Sequence, residues 1–129
     1  MLRDVTSRLD QEIASVSGIP AIAWPNVDFK PDTTQPYVSV KNIPADGTMY
    51  NMKRGQETPG TYMVNVYAPQ GRGPAQAENI ADSIANHFAS NRDLGGNLYI
   101  EEINFRPGIA DDPFYVVPLN ITWVVYHYG

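Results

Sequence analysis

Apolar residues open the chain at Leu2, Val5, Leu9, Ile13 and Val16, one at every third or fourth position. That spacing lays them along one stripe of a helix from about residue 2 to residue 17. Asp4 and Arg8 form an i,i+4 pair in the favourable order. Gly18 supplies the position after the last turn, and Pro20 stops the helix. A second stripe, Ala77, Ile80, Ala81, Ile84, Ala85 and Phe88, follows Pro74. Proline suits a first helical position, where its missing N–H costs nothing. The alanines of this helix permit close approach to a sheet.

Elsewhere the period falls to two. Tyr37 to Ile43 alternates, with Val38 and Val40 on one side and Tyr37, Ser39 and Lys41 on the other. Gly60 to Ala68 sets Tyr62, Val64 and Val66 against Thr61, Met63, Asn65 and Tyr67. Asn97 to Phe105 and Phe114 to Tyr128 read as two further strands. In the last, Val117, Leu119, Ile121, Trp123 and Val125 share a face; Val116, Asn120, Thr122, Val124, Tyr126 and Tyr128 share the other. Pro118 lacks a ladder donor and predicts an edge position or a bulge. These strands carry apolar groups on both faces, which suggests that assembly covers one of them.

Two stretches escape both periods. Residues 19 to 36 hold Pro20, Pro25, Pro31 and Pro36, an irregular arm in which Ile22 and Trp24 pair briefly with a sheet edge. Thr48 to Pro59 reads either as a surface loop or as a segment that orders on binding a neighbour. The order helix, strands, helix, strands predicts an α+β, two-layer α/β sandwich: a mostly antiparallel or mixed sheet of about four to five strands with two helices on one face. Residues 1–129 form a single domain of ordinary size.

Composition narrows the function classes. With 9 basic and 14 acidic residues the formal charge is −5, which disfavours general binding to nucleic-acid backbones. Sequence-specific nucleic-acid binding is not expected. Charged residues make up 18%, sparse for a small monomer surface and suited to a subunit. The absence of cysteine removes disulfides, thiolate metal ligands and thiol nucleophiles. No segment is apolar enough to span a membrane, and the N-terminus lacks the apolar region of a signal peptide. A cytoplasmic chain is the default.

The search for chemistry finds no catalytic, cofactor-binding or metal-ligating constellation. His87 and His127 lie in no metal-ligand spacing. Glu101-Glu102 are adjacent strand residues that point to opposite faces, and Asp111-Asp112 fits a turn. Gly71-Arg72-Gly73-Pro74 lacks the spacing of a phosphate loop. The expectation is a protein that binds other subunits, neither an enzyme nor a cofactor carrier.

The ordered series Ala23-Trp24-Pro25-Asn26-Val27 with Phe29 and Pro31, Pro36-Tyr37-Val38-Ser39-Val40, Gly60 through Pro69, Gly71 and Gly73 before an Ala-rich helix, and Tyr115 through Trp123 resembles the small tail terminator-like proteins of tailed phages and prophages. The resemblance covers nearly the whole chain and is poorest from Thr48 to Pro59. It implies a structural virion protein: a hexameric ring that caps the tail tube, ends its polymerisation and presents a surface for head joining. The implied partners are further copies of the chain, the tail tube protein and head-neck connector proteins. The implied place is the head-proximal end of the tail, after assembly in the host cytoplasm. The alternative is a neck or head-completion protein in head-tail joining, with a non-phage protein-binding domain further off. The candidate interface residues are Trp24 and Phe29 of the arm, Tyr50, Met52 and Arg54 of the aperiodic stretch, and Tyr62 and Tyr126 on exposed strand faces.

Overall fold

The computed structural model describes residues 2–25, 27, 29–31, 34–44, 57–70, 74–95, 97–111 and 113–126. In chain order these form α1 (Leu2–Ala14), β1 (Ala21–Ala23), β2 (Tyr37–Pro44), β3 (Glu57–Pro69), α2 (Pro74–Ser90), β4 (Asp93–Gly95), β5 (Leu98–Phe105), β6 (Ile109–Asp111) and β7 (Phe114–Tyr126). Helix α1 ends before residue 17 because its last turn tightens: Ser15 and Val16 donate their N–H groups to the carbonyls of Glu12 and Ile13, both at 3.2 Å. Gly18 then takes a φ of 76°, the left-handed turn that a glycine after a helix adopts without strain.

All strands join one mixed sheet in the order β1-β2-β3-β7-β5-β4, with β6 also on β7. The α+β class holds, but the sheet has seven strands where four or five were expected. The additions are three-residue strands, β1, β4 and β6, too short to show a period. Ile22 does pair at a sheet edge, where β1 runs parallel to β2, but Trp24 lies just past the end of β1 and does not pair. The β3 strand also starts earlier than the alternation showed, at Glu57.

Both helices cover the same face. Thr6 and Asp10 of α1 meet Asn42 and Tyr62, while Ala77, Ala81, Ile84 and Phe88 of α2 close the same core cluster. That core takes Val38 and Val40 from β2, Tyr62, Val64 and Val66 from β3, and Val117 to Val125 in alternation from β7. The largest side chain in it is Trp123, fully buried, its Nε1 donating to Asn42 Oδ1 at 2.8 Å.

Pro118 corrects an expectation. It lies at neither an edge nor a bulge but within the central strand β7, opposite Asn65. On its other side the neighbouring strand is interrupted between Phe105, opposite Leu119, and Ile109, opposite Val116. The missing donor therefore falls where no strand asks for it. The Pro118 carbonyl still accepts from Arg106 N–H at 3.0 Å. The sheet's bulge is in β5, where the register shifts between Ile100 and Glu102.

Candidate subunit interface

The face of the sheet turned away from the helices is built by strand alternation. Its rows follow from register: Ser39, Asn65 and Pro118; Lys41, Met63, Asn120 and Asn104; Ile43, Thr61, Thr122 and Glu102. This middle zone is largely polar and uncharged. At one end lies an aromatic group. Tyr37 and Tyr67, directly opposite each other, stack at 4.4 Å with planes 2° apart. Phe114 meets both edge-on, at 5.3 and 6.0 Å.

The arm engages both faces of its own sheet. Trp24 is half-buried against the helix-side core. Phe29 crosses to the other face and packs its ring 5.0 Å from Tyr37. Between them the chain turns, Val27 N–H donating to the Trp24 carbonyl at 3.3 Å, and Val27 is left 59% exposed. The arm thus presents its turn outward, while its two aromatic anchors are held by the same subunit.

Of the residues expected at an interface, Tyr126 is half-buried near the end of β7, its ring 5.7 Å from that of Tyr99. Tyr62 is a correction: its strand face is the one the helices cover, so it is fully buried. Its hydroxyl donates to Asp10 Oδ1 at 2.5 Å. Burial and this bond push the Tyr62 hydroxyl pKa up, out of any working range. Burial also raises the Asp10 carboxyl above its usual value, and the Tyr62 hydrogen bond pulls the other way without cancelling it. Tyr50, Met52 and Arg54, together with the Thr48–Pro59 loop up to residue 56, lie outside the described residues. So do His127, Asp112 and Gly71 to Gly73.

The exposed apolar residues that sequence reasoning missed are Ile43 (41%), Phe105 (49%) and Ile109 (58%). Phe105 and Ile109 flank the break in the strand beside β7, and Phe105 lines a shallow groove with Glu78 and Asp82 of α2 and Arg106. Ile43 shares the parity of Ser39 and Lys41 and so lies on the face turned from the helices, where the position of β2 near the sheet edge leaves it bare.

The described polar clusters serve packing. His87 Nε2 meets Glu12 Oε2 at 2.6 Å and Ser15 Oγ at 3.3 Å, tying α2 to α1. Arg92 Nη1 donates to the carbonyls of Ile100 and Glu101 at 3.2 and 2.8 Å. Among the described residues no group of three or more His, Cys, Asp or Glu side chains is placed to hold a metal ion. No helix among them is long and apolar enough to cross a membrane.

These features define the class: an α+β domain with one sheet face closed by two helices and the other face and both edges turned outward. The sequence profile of the phage tail terminator protein family matches residues 3–123. The chain belongs to that family, one of structural virion proteins. No curated protein matches it. Solved structures share the fold, among them these two. One is 23% identical, with a TM-score of 0.64 over 99% of this chain and 95% of the other. The second is a chain from the virion of a native gene transfer agent particle, 15% identical, with a TM-score of 0.60 over 95% of this chain and 92% of that one.

Proposed function

We propose that this protein forms a closed, hexameric ring on the head-proximal end of a phage tail tube. The ring stops tube growth and presents the surface to which the head is joined. The observation that carries the reading is family membership across nearly the whole chain, with residues 3–123 matched. The fold neighbour from a gene transfer agent virion agrees with a place in such a particle. A ring needs two complementary patches per subunit and a rotation that closes. The arm's exposed turn at Val27 and the sheet surface at Tyr126 are offered as contact regions, with Tyr50, Met52 and Arg54 as further candidates. Trp24 and Phe29 act in this reading as the anchors that hold the arm in place. Self-association is governed by mass action, so a dilute subunit is monomeric and the ring is favoured on the tube.

Deletion of the gene in the phage, followed by electron microscopy of the lysate, tests the reading. Overlong tails beside unjoined heads are expected. Normal-length tails with leaking heads would move the protein to the neck, and fully infectious particles would remove both roles.

A further inference from the structure

Among the described residues the sheet has two stretches of open backbone edge, and they match each other. On one side β1 pairs with β2 only from Tyr37 to Ser39, and no described strand lies beyond that against Lys41 to Ile43. On the other side β4 covers β5 only at Leu98 and Tyr99, and Arg92 occupies the carbonyls of Ile100 and Glu101. From Glu102 to Phe105 no described strand lies on the side away from β7. Unpaired N–H and C=O groups along such a stretch are a template for another strand.

Three properties make each edge the complement of the other. The first is level: Ile43 and Glu102 are the two ends of one cross-sheet row, through Thr61 and Thr122, and Lys41 and Asn104 end the next. The second is sense. The pairs β2–β3, β3–β7 and β7–β5 are all antiparallel, so β2 and β5 run in opposite directions. A copy set alongside by rotation about an axis near the strand direction brings β5 antiparallel to β2, continuing the same ladder. The third is charge and surface. Exposed Lys41 stands on one edge and exposed Glu102 on the other, both on the face turned away from the helices, with bare Ile43 beside Lys41 on that face. Like edges would oppose like charges, which disfavours a two-fold pair; unlike edges do not.

We propose that the β2 edge of one copy, at Lys41–Ile43, pairs with the β5 edge of the next, at Glu102–Phe105, so that the sheet runs on from subunit to subunit. This deepens the ring reading above and rests on it. The contact is head-to-tail, so it propagates until rotation closes it.

Cysteine pairs test the edge directly, because the chain has no cysteine of its own. Ile43→Cys is combined in turn with Glu102→Cys and with Asn104→Cys, to allow for stagger between copies. Within one subunit the two sites stand roughly 14 Å apart, three strand spacings, far beyond disulfide reach. A bond therefore forms only between copies. Oxidation of the concentrated protein is expected to give a covalent ladder ending at a closed species by native mass spectrometry. Single-cysteine variants are expected to give at most dimers. As a second measure, Lys41→Glu and Glu102→Lys are each expected to weaken self-association about threefold, and their combination to restore it. Failure of both cysteine pairs to cross-link overturns the edge pairing, whether or not rings are present. Rings without cross-links leave the ring reading intact, whereas cross-links in a phage with normal tail length remove the termination role and keep the edge.

Discussion

Gly60 is the sharpest point at which the fold can be broken by a single methyl group. It sits in β3 directly opposite Trp123 of β7, on the face under the helices. A Cβ built there would collide with Trp123 Cζ2 and lie 2.6 Å from Cε2 and 2.8 Å from Cη2. The indole has little freedom to retreat, since its ring is fully buried and its N–H is held by Asn42. Overpacking of this kind costs about 1–3 kcal/mol. The alanine also stiffens the unfolded chain, which returns about 0.4–1 kcal/mol, because Gly60 is not among the positive-φ glycines. The net loss expected for Gly60→Ala is therefore about 1–2 kcal/mol. At this chain length that is a fall in Tm of roughly 4–8 °C. Thermal and urea unfolding measure it. The cause is isolated by repeating the substitution in a Trp123→Phe background, where the outer ring atoms are gone. There Gly60→Ala is expected to cost less than about 0.5 kcal/mol. An equal penalty in both backgrounds, or no penalty in the first, would refute the argument that the indole demands the glycine.

Two further outcomes follow from the helix-side core. Leu9→Ala removes a fully buried side chain and is expected to cost about 2–5 kcal/mol in chemical denaturation; a loss under about 0.5 kcal/mol would mean that α1 is not packed as described. Asp10, whose carboxyl is raised by burial, favours the folded state when protonated. Its contribution is full below the ordinary carboxylate value of 3.8 and fades as pH climbs through the raised one. Asp10→Asn keeps an oxygen for the Tyr62 hydroxyl and is expected to flatten stability across that acidic window; an unchanged pH profile would count against it.

Local periodicity was enough to locate both helices, the four long strands and the residues that share a face of each, but not which face of β3 turns inward. Val38, Val64, Leu119 and Phe88 are buried because apolar residues at period two or 3.6 have only one way to leave water. The resemblance likewise lay in the order of short motifs and needed no coordinates. What the sequence could not settle was which strand lies beside which. The three-residue strands carry no period, and their pairing comes from neighbours distant in the chain. Tyr62 looked like a surface aromatic because its own strand is apolar on both faces; only the placement of α1, with Asp10 beneath the hydroxyl, decides that it is core. Pro118 seemed to forbid a central strand, yet it is tolerated there because the neighbouring strand breaks opposite it, which only the finished sheet reveals. The open edges at Lys41 and Glu102 belong to the same category. Edge position is a property of the finished sheet, since it records which backbone groups the other strands have left unpaired.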